Sequence, residues 1–259
     1  MPVLPNLLEN KVVLVVGATS GVGAGVARAA SAAGAHVAVA GRTRDKGKAV
    51  VAQLTGPGVF VQGDVSDAEE ARRLVTDTIA EFGRIDCLVN AAGLTTRGTL
   101  LDTTPELFDA HVATNLRGPF FTMQAAVEDM RDRGEPGTIV NIISIAEHGG
   151  QPYLAPYVAS KAGLAGLTRN AAFAHRWDRI RINGLDIGWT ETDGEAAVQR
   201  DAHGAGDDWV EKADASVPMG KLGQVDEIAE FVVFLLSDRS GVVTGSVIDW
   251  DQSVPGAHD

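Results

Sequence analysis

Lys11-Val-Val-Leu-Val-Val-Gly17-Ala-Thr-Ser-Gly21-Val-Gly23 is the stretch whose reading decides the fold. Its apolar run has the length and continuity of a strand buried on both faces, and it ends directly in a glycine-rich turn that opens a helical segment. In such a turn Gly17 allows the sharp bend, Gly21 lets a diphosphate approach the backbone, and Gly23 permits close packing of helix on sheet. Free amides at the helix N-terminus, around Thr19, Ser20 and Val22, then face the anion. A glycine-rich loop alone is common, and the strand-to-helix context is what makes this one informative.

Working outward, short apolar runs alternate with longer amphipathic segments. Strands are predicted over 11–16, 36–40, 59–62, 85–89, 138–143, 179–183 and 246–249, and helices over 21–33, 44–54, 67–82, 105–131, 156–175 and 224–237. This alternation predicts an α/β fold, a Rossmann-like doubly wound parallel sheet with helices on both faces and its ligand outside the carboxyl ends of the strands. No linker or charge block divides the chain, so residues 1–259 are expected to form a single domain.

Composition narrows the partners. With 259 residues, 45% hydrophobic, the chain has enough apolar material for a large core. Its formal net charge of -12 repels nucleic acid and anionic membranes. Residues 1–10 show no basic n-region, and no apolar span reaches membrane length, so a cytoplasmic protein is expected. The single cysteine, Cys87, excludes an intramolecular disulfide and a thiolate metal cluster, and reads as a buried strand residue.

Further residues fall at strand ends in the same crevice. Where dinucleotide folds carry an acidic residue for the adenosine ribose, this chain has Gly41-Arg42-Thr43. No carboxylate repels a 2′-phosphate there, and Arg42 offers a guanidinium to pair with one, so NADP(H) is favoured, with NAD(H) possible. The alternative is that Arg42 is a solvated loop cation. Asp64-Val65 suits an adenine amine, and Asn90-Ala91-Ala92-Gly93 lets a nucleotide lie flat on the backbone.

At the reacting end, Tyr157 stands four residues before Lys161, which puts phenol and ammonium on one helix face. A unit charge ~4 Å away at an effective dielectric of ~20 is worth roughly 4 kcal/mol, so Lys161 is expected to bring Tyr157 down toward neutrality. Ser144 ends the fifth strand, where its hydroxyl can hold a substrate oxygen. Asn115 sits inside a predicted helix, against its propensity.

Together, Gly17-x3-Gly21-x-Gly23, Asn90-Ala-Ala-Gly93, Asn115, Ser144 and Tyr157-x3-Lys161 resemble the short-chain dehydrogenase/reductase family, in its short single-domain branch, over about residues 12–252. The resemblance implies Tyr157 as acid or base, Ser144 holding the substrate oxygen, Lys161 on the nicotinamide ribose and Asn115 anchoring a proton-relaying water. It also implies a homotetramer packed through the helices at 105–131 and 156–175, and no metal. Two departures stand out. Ile187-Gly188-Trp189-Thr190-Glu191-Thr192 lacks the family's proline before glycine, though Ile187 to Thr190 should still meet the carboxamide and Thr192 the diphosphate. Asp249-Trp250-Asp251-Gln252 replaces a frequent Asp-Gly-Gly.

The segment 190–217 is expected to form a substrate lid. Its carboxylates, with His203, Trp209 and the neighbouring Trp189, suit a polyhydroxylated ligand, or else form a solvated acidic surface. Thr95, Arg97, Glu147, Gln151 and Tyr153 are further candidates at the pocket edge. Three functions stay open: oxidoreduction of a small polar alcohol or ketone such as a sugar or polyol, reduction of apolar ketones or 3-oxoacyl thioesters, and non-catalytic nucleotide sensing.

Overall fold

The computed structural model describes residues 6–255; residues 1–5, part of the leading segment considered above, and 256–259 lie outside it. Seven strands form one parallel sheet: β1 (Val12–Val16), β2 (His36–Gly41), β3 (Gly58–Gln62), β4 (Cys87–Asn90), β5 (Gly137–Ile142), β6 (Ile180–Ile187) and, last in the chain, β9 (Val247–Trp250). Their spatial order is β3-β2-β1-β4-β5-β6-β9, so the winding reverses between β1 and β4. The short strands β7 (Thr190–Glu191) and β8 (Gly223–Gln224) pair separately, an element absent from the sequence reading because two-residue strands carry no periodicity.

Every residue of β1 is buried because both faces of the sheet are covered. Val13 and Val15 pack into the core beneath α1 (Gly21–Ala32) and α9 (Val225–Leu236). Leu14 and Val16 point the other way, into the core under α3 (Ala68–Phe82) and α5 (Gly118–Arg133). Helix ends follow local chemistry. Asp67 caps α3 by accepting from the Glu69 and Glu70 amides, each at 2.9 Å, and Gly83 closes that helix with φ 81°. The helix α2 (Arg44–Val51) stops short of the expected residue 54.

The single helix expected over 105–131 is interrupted. α4 (Pro105–Val112) runs into a π-helical turn, Ala113–Arg117, before α5 begins. The interruption coincides with Asn115, whose side chain is committed to hydrogen bonds outside its own helix. Beyond it, a 3-10 turn (Ile145–His148) follows β5, α6 (Ala155–His175) carries Tyr157 and Lys161, and the expected lid contains α7 (Asp193–His203) and α8 (Trp209–Ala215). No helix among the described residues is long and apolar enough to cross a membrane.

Gly118, the first residue of α5, lies so close to the loop after β3 that a Cβ would sit 2.5 Å from the Val65 carbonyl oxygen. Backbone cannot rotate away, so overpacking of about 1–3 kcal/mol should exceed the gain of about 1 kcal/mol in helix propensity. Gly118→Ala is expected to lose about 1 kcal/mol or more in urea unfolding; an unchanged midpoint would show that the loop yields.

Candidate active site

A cleft of about 860 Å³ opens along the carboxyl edge of the sheet, over the reversal between β1 and β4. Its floor at one end is the first turn: Gly17, Thr19, Ser20, Gly21, Val22 and Gly23 all line it. Gly17 adopts φ 84°, and a Cβ there would stand 2.4 Å from the Ala92 amide nitrogen, so glycine is required on both conformational and steric grounds. Ser20 precedes α1 without capping it, and the first turn of α1 holds no acidic residue, which leaves the helix-end amides available to an anion.

Arg42, Asp64 and Val65 line the far end, with Ala91, Ala92 and Gly93 along the middle. Arg42 Nη1 lies 3.9 Å from Asp64 Oδ2, and its side chain is 78% exposed, a loose pairing that leaves the guanidinium free to move. Two expected contacts are not found here. Thr43 precedes α2 outside the cleft lining, and Asn90 turns into the sheet, donating to Asn141 Oδ1 at 2.9 Å and accepting from Thr122 Oγ1 at 2.7 Å. A side chain at the last position of a strand has two directions available, and Asn90 takes the buried one.

At the other end, Ser144, Tyr157 and Lys161 line the cleft together. The Ser144 hydroxyl faces the Tyr157 phenol and favours its ionised form, while its Oγ accepts from the Ala146 amide at 3.3 Å. Lys161 is buried, 5.7 Å from the Tyr157 ring centroid, and donates to the Ile142 carbonyl at 2.8 Å. The expectation that Lys161 lowers the tyrosine is corrected here. Burial pushes the Tyr157 phenol up to about 12; the Ser144 hydrogen bond and the Arg97 charge act against this, while Asp186 and Glu195 reinforce it. Burial also brings Lys161 down to about 8, although Asp186 favours its charged form. Desolvation outweighs the pairwise attraction, and the Tyr157 phenol is neutral at neutral pH.

These elements sit in a chain whose relatives are known. The family profile described as Enoyl-(Acyl carrier protein) reductase matches residues 17–253. An uncharacterized oxidoreductase of Thermotoga maritima is 38% identical over 246 residues, covering 94% of this chain and 96% of its own. The L-rhamnose 1-dehydrogenase (NAD(P)(+)) of Azotobacter vinelandii is 34% identical, covering 93% and 94%. The 3-oxoacyl-(acyl-carrier-protein) reductase FabG of Staphylococcus aureus is also 34% identical, covering 92% and 96%. Among solved structures, a Sinorhizobium meliloti 1021 protein provisionally described as a short-chain alcohol dehydrogenase superposes with a TM-score of 0.86 at 34% identity, covering 96% of this chain and 98% of its own. The chain is a short-chain dehydrogenase/reductase.

As a member of that family it is an oxidoreductase served by a nicotinamide dinucleotide, and its residues fit one. The amides before α1 are uncapped, a Cβ on Gly93 would meet nothing within 4 Å, and Thr192 reaches within 3.8 Å of where a Cβ on Gly21 would stand. Thr192 and Thr190, with Ile187 and Gly188, also line the cleft. The turn that lacks the proline packs against the strand alongside. β9 pairs Trp250 with Ile187, and Asp251 approaches Gly188 so closely that a Cβ there would lie 2.6 Å away. The altered C-terminal sequence therefore lies directly against the turn.

Asn115 is fully buried outside the cleft lining. Its Oδ1 accepts from the Leu94 amide at 2.8 Å, and its Nδ2 donates to the Leu94 carbonyl and to Ser160 Oγ, both at 3.0 Å. The side chain is thus bonded within the protein. His111, one turn earlier on the same face, was missed in the sequence. Burial keeps it below its usual range, and because the Thr96 carbonyl can only accept, Nε2 carries the proton and donates to it at 3.0 Å, while Nδ1 lies 3.4 Å from Asn115 Nδ2. Together they hold the loop 94–97 against α6.

Of the substrate candidates, Thr95, Arg97, Gln151, Tyr153, Trp189 and His203 line the cleft. Arg97 stacks 5.5 Å over the Tyr153 ring and lies 3.3 Å from His203, while Trp189 donates to Glu195 Oε1 at 2.8 Å. Trp209 is buried behind Trp189, with ring centroids 6.4 Å apart, and packs on Ala213 and Leu222. Its ring belongs to the small core of this segment and does not line the cleft. Glu147 is directed away from the cleft, toward Asp186.

The buried ammonium has a thermodynamic signature. Lys161 has its folded value below the ordinary 10.5, so between pH 8 and 10.5 the unfolded chain binds more protons and stability from this group rises with pH; the penalty is full below about 8. Lys161→Met should be more stable than the parent at pH 7 by up to about 3 kcal/mol, an advantage that shrinks toward pH 10. Urea unfolding at several pH values checks this, and a pH-independent difference would assign the effect to packing.

Proposed function

We propose that this oxidoreductase interconverts a small polar secondary alcohol and its ketone, in the class of a sugar or polyol, with NADP(H) preferred over NAD(H). The observation that carries the reading is the convergence, in one cleft, of a neutral buried Tyr157 phenol, its Ser144 partner and the polar groups Arg97, Gln151, Gln199 and His203. When bound, the dinucleotide supplies or accepts the hydride. Tyr157 gives a proton to the substrate oxygen in reduction, Ser144 holds that oxygen, and Lys161 bonds the nicotinamide ribose. Asn115 and His111 act as positioning residues for the 94–97 loop. The similarity to an L-rhamnose dehydrogenase supports a hydroxyl-rich substrate.

The chain is read as one domain, cytoplasmic, with 190–217 as its lid. Association as a homotetramer through α4, α5 and α6 is supported by exposed Phe108, Phe120 and Phe173 on those helices. A second reading, reduction of apolar ketones or 3-oxoacyl thioesters, is favoured by one observation. An additional cavity of about 350 Å³ lies beside Trp189 and Gly188, with Ile145, Val217, Met219 and Trp250 in its wall.

A screen of sugars, polyols, ketones and acyl thioesters with both cofactors, followed at the nicotinamide absorbance band, separates the two readings. With the best substrate, Tyr157→Phe should lose about 10² to 10⁴-fold in turnover with cofactor affinity nearly kept. Turnover like the parent's would overturn the assignment.

Cofactor choice is assigned to Arg42, since a charge-assisted hydrogen bond to a 2′-phosphate is worth about 1.5–3 kcal/mol. Arg42→Ala should weaken NADPH roughly ten- to hundredfold and spare NADH. Equal weakening of both, or a parental preference for NADH, would reject the role.

A further inference from the structure

A second group of chemically active side chains lies outside the cleft. The 3-10 turn after Ser144 brings Glu147 and His148 to the carboxyl end of β6, where Asp186 is fully buried. One ligand atom from each of the three lies within 4.8 Å of the others. His148 Nε2 is 3.2 Å from Asp186 Oδ2 and 3.4 Å from Asp249 Oδ1. None of the three lines the cleft.

The charge balance of this cluster is unfavourable as it stands. Neither oxygen of Asp186 accepts a hydrogen bond, and Asp251 Oδ1 is likewise buried without a donor. The Glu147 side chain is only 9% exposed, with Arg169 Nη2 3.7 Å away at its outer side. Burial raises Asp186 to about 7; Glu147, Asp249 and Asp251 add to the rise and His148 opposes it. Four carboxylates therefore meet one imidazole and one arginine, with the buried Lys161 ammonium attracting Asp186 from the cleft side, and a buried carboxylate that accepts no hydrogen bond is stable only if a proton or a cation compensates it.

We propose that Glu147, His148 and Asp186 form a binding site for one divalent first-row transition cation, with Asp249 at its rim. Metal–ligand distances of about 2.0–2.2 Å require ligand atoms roughly 3–4.4 Å apart, which the cluster reaches with shifts of tenths of an ångström. An imidazole beside two carboxylates selects Zn²⁺ or Mn²⁺ over Mg²⁺. The partly exposed His148 provides the entry side. The cation would tie the turn after Ser144 to the end of β6, immediately before Ile187 and Gly188, and so stiffen the same wall of the active site that β9 braces. The site is independent of which substrate the enzyme takes.

The test uses the full chain, stripped with EDTA and titrated calorimetrically with ZnCl₂, MnCl₂ and MgCl₂. Expected are one Zn²⁺ or Mn²⁺ per chain with micromolar or tighter affinity, Mg²⁺ at least about tenfold weaker, and a rise in melting temperature on saturation. His148→Ala changes a partly exposed side chain, and Asp186→Asn is isosteric; each should weaken binding by about tenfold or more and abolish the melting shift. Glu147→Gln gives a third variant should Asp186→Asn fail to fold. No saturable binding of Zn²⁺ or Mn²⁺, or binding unchanged in the variants, would overturn the site and leave a protonated Asp186 as the compensation.

Discussion

Two neighbouring parallel strands, β1 and β4, send their connections in opposite directions, and the structure depends on what that reversal leaves uncovered. A crevice opens between their carboxyl ends, and the backbones beside it come so close at Gly17 and Ala92 that no side chain fits between them. The turn before α1 is thereby held with its amides toward the crevice, and the helix-end field toward an anion follows from the sheet's topology.

Beneath the reacting end runs a buried polar network. Thr122, Asn90, Asn141 and Thr168 are linked in sequence across α5, β4, β5 and α6. Nearby, His111, Asn115 and Ser160 connect α4 and the π-helical turn to α6, and Ser160 donates to the Tyr157 carbonyl at 2.7 Å. Such networks tolerate little displacement because each unpaired member would be costly in a low-dielectric interior. Tyr157 is therefore positioned through its backbone.

The electrostatics of the site follow from dryness more than from pairing. Tyr157 and Lys161 are displaced in opposite directions by the same burial, and both are driven toward their neutral forms. Asp186 is driven the same way. A dry cleft favours a neutral phenol over a phenolate, and any charge that remains in it interacts more strongly than it would in water.

The parallel architecture, the glycine-rich turn and the grouping of Ser144, Tyr157 and Lys161 were legible in the chain because they rest on local signals: apolar runs, glycine spacing, a strand-end serine and an i,i+4 pair. Side-chain direction was not. Asn90 turning inward, Asn115 bonding a distant loop, Trp209 lying behind Trp189 and Glu147 facing Asp186 all depend on partners distant in sequence. Asp186 itself gave a signal, a carboxylate within the apolar end of β6, but its meaning depends on Glu147, His148 and Asp249 being gathered there from two other parts of the chain. Local sequence determined which elements form and which chemistry they carry. Tertiary packing decided which groups are dry, which are paired and therefore which protonation states the site holds, because desolvation is a property of the assembled surroundings and not of any residue or its neighbours in sequence.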